Sequence, residues 1–152
     1  MRDVVFEWYV PYILNRRQQL VKALMVSAAL VFFVDAVFFA AAMLIPSVIL
    51  AVTGFFLFRS WRYEYEYVYV NGDFTISKII RKAKRKDVYH AYRADFQEIL
   101  PGRKTAEGLK TRDFTSGRAK APVYTVRCHG ELVYIEAEEN FIGEMKKYYA
   151  IA

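Results

Sequence analysis

The apolar stretch over residues 23–58 constrains this chain more than any other feature of its sequence. Asp35 is the only residue of the stretch that carries a formal charge. A membrane-spanning helix needs roughly 20 consecutive apolar residues, and a water-soluble domain does not need a run of much greater length. The stretch therefore predicts a segment that is embedded in a membrane.

The length of this stretch predicts two membrane spans that form a hairpin over residues 20–62. A single helix would be about 54 Å long at 1.5 Å per residue, which is too long for one crossing. We expect a first span over residues 21–45, a turn at or near Pro46-Ser47, and a short second span that ends near Phe58. A re-entrant hairpin that does not reach the far side is the alternative geometry.

Positive charges flank both ends of the predicted hairpin, whereas its turn carries none. The flanking residues are Arg16, Arg17, Lys22, Arg59 and Arg62. Short cytoplasmic loops of membrane proteins are enriched in Lys and Arg. We therefore expect a cell-membrane protein that crosses the bilayer twice, with both chain termini on the cytoplasmic side.

Residues 1–19 are predicted to form an amphipathic segment at the membrane surface. Apolar and aromatic side chains recur there at helical spacing. Trp8 and Tyr12 suit the headgroup boundary, where these residue types are enriched. We expect a short helix over residues 3–19, interrupted by Pro11, that leads into the first span.

The period of the sequence changes from helical to that of a strand after residue 62. Tyr63–Val70 alternate tyrosine with glutamate or valine, and Asp73–Ile80 alternate again after Asn71-Gly72. Asn-Gly is a strongly preferred pair in a two-residue hairpin turn. These residues therefore predict an antiparallel β-hairpin.

The rest of the chain predicts four further strands and a closing helix. The strands are expected over residues 86–92, 95–100, 123–128 and 131–137, with a polar loop over residues 101–121. The helix is expected over residues 138–150, with Phe141, Met145, Tyr148 and Tyr149 on one face. The predicted fold class is α+β, in which a transmembrane helical hairpin precedes a small antiparallel β domain over residues 63–152.

Three short segments carry a resemblance to a known family. They are Tyr63-Glu64-Tyr65-Glu66-Tyr67, Asn71-Gly72-Asp73 and Lys78-Ile79-Ile80. Together with the apolar hairpin, they make the chain similar to a family of small two-span membrane proteins of Gram-positive bacteria. The order of strands and helix resembles a pleckstrin-homology-like (PH-like) domain, which is a partial barrel closed at one end by a C-terminal helix. The resemblance implies no catalytic or ligand-binding residue.

Asp35 is the strongest candidate for a functional residue in the apolar stretch, because a charge inside a membrane is costly and marks a partner or a pathway. With a turn at Pro46, Asp35 would lie about 16.5 Å before the turn and Arg59 about 19.5 Å after it. We therefore predict that Asp35 pairs with Arg59 or with a second copy of the protein. A protonated Asp35 that is hydrogen-bonded inside the hairpin is the structural alternative, and ion or proton transport would require an oligomer.

A basic run follows the predicted β-hairpin. It consists of Lys78, Arg81, Lys82, Lys84, Arg85 and Lys86. Each basic residue near an anionic leaflet contributes about 1 kcal/mol of attraction, so the run predicts contact with acidic lipid headgroups. A solvated hairpin tip is the alternative. Nucleic acid is not favoured as a partner, because the tyrosines of the preceding strand alternate with glutamates.

The sequence favours neither catalysis nor a metal or other cofactor. Cys128 and His129 are neighbours on a predicted strand and point to opposite faces, so they cannot form a dyad. His90 stands alone, and the one cysteine excludes an intramolecular disulfide. We therefore predict a non-enzymatic interaction module at the cytoplasmic face, which contacts protein or anionic lipid. The alternative is a small accessory subunit of a larger membrane complex or transporter, assembled through the hairpin.

Overall fold

The computed structural model describes residues 5–147, which divide into two compact units. One unit, here called the hairpin unit, is Leu14–Arg62. The other, here called the sheet unit, consists of residues 5–13 and 63–147. The sheet unit is therefore discontinuous in sequence, and the hairpin unit is inserted between its first and second strands.

Two helices form the hairpin unit. Helix α1 spans Arg16–Phe38, a short 3₁₀ turn spans Ala41–Met43, and helix α2 spans Leu44–Ser60. Asn15 caps α1, because its side-chain oxygen accepts a hydrogen bond from the Gln18 N–H while the Gln18 side chain accepts one from the Asn15 N–H. This reciprocal pair satisfies two backbone donors that the first turn of a helix leaves free.

The turn between the helices lies earlier in the sequence than predicted. The chain leaves α1 after Phe38, and Pro46-Ser47 lie within the first turn of α2. Proline is tolerated there because its missing N–H would have no helical acceptor in that turn. The chain therefore turns at residues 39–43, near Pro46-Ser47, and the predicted first span to Ile45 with a break at Pro46 is wrong.

Close contacts fix an antiparallel register between α1 and α2. The Ser47 hydroxyl donates a hydrogen bond of 2.9 Å to the Ala29 carbonyl. Further from the turn, a Cβ atom at Gly54 would lie 3.7 Å from the Met25 methyl group. Both helical segments are long and apolar enough to cross a membrane, and most of the exposed large apolar side chains belong to them.

Two four-stranded sheets and one helix form the described part of the sheet unit. The first sheet has the order β1-β2-β3-β4 and is antiparallel, with β1 at Val5–Pro11, β2 at Tyr63–Val70, β3 at Asp73–Ile80 and β4 at Lys84–Tyr92. The second has the order β5-β7-β8-β6, with β5 at Phe96–Pro101, β6 at Lys110–Asp113, β7 at Val123–Cys128 and β8 at Glu131–Glu136. Strand β6 is parallel to β8, and helix α3 spans Glu139–Lys147.

Strand β1 replaces the helix that was predicted over residues 3–19. It pairs with β2 so that Trp8 lies opposite Tyr67, and their rings stack with centroids 4.9 Å apart. The sequence from Phe6 to Val10 alternates large apolar residues with Glu7 and Tyr9, which satisfies a period of two. Pairing with the tyrosines of β2 buries the apolar face, so the helical prediction is wrong over Val5–Pro11.

Aromatic rings dominate the core of the sheet unit. Tyr67, Tyr69 and Phe74 are at most 1% exposed. Phe141 of α3 packs on Trp8 with ring centroids 4.6 Å apart and on Phe74 at 5.9 Å. The helix therefore closes the core as the sequence predicted.

The α+β class and most of the predicted strands are confirmed. The described closing helix ends at Lys147, and the predicted positions of Tyr148 and Tyr149 lie outside the described residues. The predicted loop over residues 101–121 is wrong over Lys110–Asp113, where β6 extends the second sheet.

Candidate membrane-facing surface

The strand register brings the basic run to the end of the first sheet from which the hairpin unit departs. Tyr63, the first residue after Arg62, lies opposite Ile80, and Ile80 lies opposite Lys84. The Tyr12 N–H donates a hydrogen bond of 3.1 Å to the Tyr63 carbonyl. We call this end of the sheet, where Pro11, Tyr63, Ile80 and Lys84 lie, the hairpin end.

The turn between β3 and β4 has a strained backbone. Arg81 and Lys82 have φ values of 57° and 58°, and the Ala83 N–H donates to the Ile80 carbonyl. A turn with positive φ at both central residues favours Asn or Gly, and the turn between β2 and β3 has Asn71-Gly72 there. Arginine and lysine are costly at such positions by roughly 1 kcal/mol each. We call residues 81–83 the basic turn.

Two residues of the basic run are engaged inside the sheet unit. The Lys78 ammonium lies 3.8 Å from the centroid of the Tyr63 ring, which is a cation–π contact. The Arg85 guanidinium lies 2.7 Å from a carboxylate oxygen of Glu66, which is 4% exposed. A buried carboxylate needs such a partner, so Lys78 and Arg85 support the fold more directly than they serve an outside ligand.

The other four residues of the basic run are exposed. Arg81, Lys82, Lys84 and Lys86 make no ion pair within residues 5–147. Lys86 lies opposite Lys78, and like charges in that arrangement are mildly destabilising. The structure therefore leaves four of the six predicted lipid-contact residues available to an anionic ligand.

Three tyrosines line the hairpin end beside the basic turn. The Tyr12 and Tyr63 rings stack with centroids 4.6 Å apart, and Tyr65 meets Tyr63 edge to face at 5.4 Å. Burial raises the pKa of the Tyr63 phenol, and the neighbouring phenols raise it further. Tyr63 therefore stays neutral at physiological pH and acts as an aromatic surface for Lys78.

The helix register separates Asp35 from Arg59. Asp35 lies in the last turn of α1, beside the turn of the hairpin, whereas Arg59 lies at the opposite end of α2. The Arg59 guanidinium lies 5.7 Å from the Phe55 ring, and no ion pair joins the two residues in the structure described. The predicted pairing within one hairpin is therefore wrong, because the turn lies several residues before Pro46. The predicted pairing with a second copy stays a prediction.

A family model described as Bacterial PH-like domain (DUF6106) matches residues 2–151. The chain belongs to this family. No curated protein and no solved structure is significantly similar to it. The predicted PH-like fold is therefore confirmed, and family membership indicates an interaction module, since PH-like domains are generally non-catalytic.

The most reactive side chains of this PH-like domain are either buried or lie beside a carboxylate of the fold; they are Cys128, His90 and His129. Cys128 is fully buried, and burial raises the pKa of its thiol. His129 lies in a turn, where it is 3.5 Å from a carboxylate oxygen of Asp95. His90 pairs with Asp73 at 2.8 Å. Within residues 5–147, no three His, Cys, Asp or Glu side chains lie close enough together to hold a metal ion.

The first part of the predicted polar loop, residues 102–109, is fastened to the second sheet of the PH-like domain. The Lys104 N–H donates to the Thr125 hydroxyl at 2.9 Å, and that hydroxyl donates to the Gly102 carbonyl at 2.7 Å. The Tyr134 hydroxyl donates to the Lys104 carbonyl at 2.9 Å. Each partner is a single polar residue in a strand, so the sequence carried no pattern that could reveal the contacts.

Asp113, the last residue of β6, fastens this loop through Arg103. Its carboxylate accepts hydrogen bonds from the Thr115 N–H and hydroxyl, at 2.9 and 2.7 Å, and from Arg103. Burial alone would raise the pKa of Asp113, but these donors outweigh it and lower the pKa. The ionised carboxylate therefore fixes Arg103 and the start of the segment that follows β6.

Proposed function

We propose that this protein is a membrane-anchored PH-like interaction module whose basic turn contacts anionic lipid headgroups at the cytoplasmic face. The hairpin unit is the anchor, and both chain termini lie on the cytoplasmic side. The observation that carries the proposal is the register that places the basic turn beside Tyr63, where the apolar hairpin returns to the sheet unit.

The length of the chain limits how far the hairpin end can lie from the bilayer. Phe58 is the last residue of the apolar stretch, and Tyr63 follows five positions later. Five residues span at most about 17 Å when fully extended and about 8 Å as helix. The headgroup layer of one leaflet is roughly 5–8 Å thick, so lysine and arginine side chains at this end are within reach of headgroups.

The strain of the basic turn supports a functional role for its charges. Asn-Gly would fit the backbone of Arg81-Lys82 better, and the same chain has Asn-Gly at its neighbouring turn. Residues in strained conformations are often kept for binding rather than for stability. The positive-inside rule alone would not require these charges at positions with positive φ.

Replacing Arg81-Lys82 by Asn-Gly is expected to change stability and lipid contact in opposite directions. Relief of strain at both residues, about 2 kcal/mol, should raise the melting temperature of the sheet unit by roughly 8–16 °C. Loss of two charges should weaken docking to anionic bilayers by about 2 kcal/mol. Both are measured on the full chain in nanodiscs, by near-UV circular dichroism and by quenching of a fluorophore at Ala83→Cys with headgroup-labelled lipid.

The matched control is Arg127→Gln/Lys146→Gln, which removes two exposed positive charges elsewhere on the sheet unit. It should leave docking unchanged. Equal docking of the wild-type chain to neutral and anionic bilayers would refute the lipid proposal, whatever the effect on melting.

Asp35 favours a second candidate function, assembly through the hairpin unit. The side chain is partly exposed on an apolar helix and forms no ion pair within the described residues. A polar contact between membrane helices contributes about 0.6 kcal/mol on average and up to about 1.7. We propose that the partner is a second copy, or a larger complex or transporter of which the chain is an accessory subunit.

Asp35→Leu, which removes the polar group, is expected to raise the dissociation constant of a dimer about 3- to 18-fold. Analytical ultracentrifugation in mild detergent measures this. Ser27→Ala is the control, because the Ser27 hydroxyl is satisfied by the Ala23 carbonyl of its own helix. Unchanged self-association would exclude the second copy, and a stoichiometric protein in pull-downs would favour the accessory subunit.

A further inference from the structure

A second basic segment lies at the hairpin end of the sheet unit. Residues 117–120 contain Arg118 and Lys120 and no acidic residue, and all four are exposed. The sequence predicted only a polar loop here. We call these residues the second basic loop.

Backbone contacts hold the second basic loop against the last residue before the hairpin unit. The Ile13 N–H donates a hydrogen bond of 2.9 Å to the carbonyl of Ser116, which is fully buried. Gly117 has a φ of 81°, and a Cβ there would lie 3.4 Å from the Ile13 carbonyl oxygen. Ile13 is followed directly by Leu14, the first residue of the hairpin unit.

The segment that leads into the loop is held in place by the core. The Tyr67 hydroxyl donates to the Phe114 carbonyl, and the Phe114 N–H donates to the Tyr134 carbonyl at 3.1 Å. The Ser116 N–H donates to a carboxylate oxygen of Glu136 at 3.0 Å. Arg118 and Lys120 themselves make no ion pair within residues 5–147. Arg118 and Lys120 therefore follow a segment that hydrogen bonds hold to the core, and neither charge has an ion-pair partner in the described part of the chain.

We infer that the second basic loop is a second contact site for anionic membrane lipid, so that the sheet unit docks on the bilayer at two basic points. This inference rests on the proposed function. Tyr12 and Ile13 connect the two points, because Tyr12 bonds to Tyr63 beside the basic turn and Ile13 bonds to Ser116 beside the second basic loop. Two separated contacts restrain the tilt of a domain along the line that joins them, which one contact does not.

The experiment uses the full chain in nanodiscs with headgroup-labelled lipid and three single-site fluorophores. The labels are attached at Ala119→Cys, Ala83→Cys and Val70→Cys, and the native Cys128 is fully buried. Val70 is the reference, because it lies at the far end of β2, about 23 Å from Tyr63. In anionic nanodiscs the labels at positions 119 and 83 should be quenched and the label at 70 should not.

Arg118→Gln/Lys120→Gln tests whether charge holds the loop at the membrane. Each basic residue should change the ratio of docked to undocked protein about 5.4-fold, so the double variant should lower it about 30-fold. The label at position 83 measures this ratio while the salt concentration is raised. Arg127→Gln/Lys146→Gln is again the matched control and should have no effect.

The outcomes separate this inference from the proposed function. Quenching at position 83 without quenching at 119 overturns the second contact and leaves the first in place. No quenching at either position defeats both. A third outcome is that position 119 is quenched equally at every salt concentration in the wild-type chain and in Arg118→Gln/Lys120→Gln. The loop would then lie near the membrane without binding it through charge, which also overturns the second contact.

Discussion

Removal of residues 1–13 is expected to unfold the sheet unit, whereas removal of the much longer hairpin unit is not. Strand β1 supplies one edge of the first sheet, and Val10 is 4% exposed while Phe6 and Trp8 pack against the core. Each fully buried side chain of this size contributes about 1.5–3 kcal/mol. Phe6 and Trp8 are partly buried, so the three side chains together contribute roughly the lower end of the 5–15 kcal/mol by which a domain is usually stable.

The second half of this prediction follows from the closeness of the two chain ends that flank the hairpin unit. The Tyr12 N–H and the Tyr63 carbonyl are 3.1 Å apart, so a turn of about four residues can join Ile13 to Tyr63 as a β-hairpin. The chain that lacks residues 14–62 should be folded and soluble without detergent. If the hairpin unit anchors the protein, the intact chain should require detergent.

Circular dichroism and size exclusion measure both variants. The chain without residues 1–13 should lose its near-UV signal, and the chain without residues 14–62 should keep it. A cooperative thermal transition in the chain without residues 1–13 would show that β1 is an accessory strand. A soluble intact chain would defeat the anchoring proposal.

Sequence periodicity predicted the strands whose alternation is clear and local. Tyr63–Val70 and Asp73–Ile80 match the predicted bounds because a glycine-containing turn sets their register. The closing helix was predicted from its apolar face, and the described part agrees. These elements are specified by residues within a few positions of each other.

The misassigned elements depend on partners that are distant in sequence. The sequence predicts a helix where β1 forms because a short segment that contains Trp8 and Tyr12 fits both periods, and its partner β2 begins only after the hairpin unit. Strand β6 contains mostly charged residues, and its pairing with β8 defines it as a strand. No local pattern records either pairing.

The candidate site was predicted only in part for the same reason. The basic run was evident from composition, but the engagement of Lys78 by Tyr63 and of Arg85 by Glu66 depends on strand register. The Asp35–Arg59 pairing failed because it relied on Pro46 as the turn, although proline is also at home in the first turn of a helix. The position of the second basic loop at the hairpin end could not be predicted, because it depends on the contact between Ser116 and Ile13.

Phe141→Ala is expected to lower the free energy of unfolding of the sheet unit by about 3–5 kcal/mol, the usual cost of removing a buried phenylalanine ring. Phe141 is 2% exposed and meets four aromatic rings, those of Phe6, Trp8, Tyr69 and Phe74. These rings belong to three strands that the helix covers. The cavity would therefore lie where β1, β2 and β3 meet α3.

The chain without residues 14–62 allows a direct measurement of this loss. It lacks Trp61, so Trp8 is its one tryptophan, and the Trp8 ring lies 4.6 Å from the Phe141 ring. Urea unfolding followed by Trp8 fluorescence therefore reports on the altered site. Lys146→Ala, on the exposed face of the same helix, should cost less than about 0.5 kcal/mol. A loss below about 1 kcal/mol in Phe141→Ala would mean that α3 does not close the core, since a ring buried among four others cannot be removed at so small a cost.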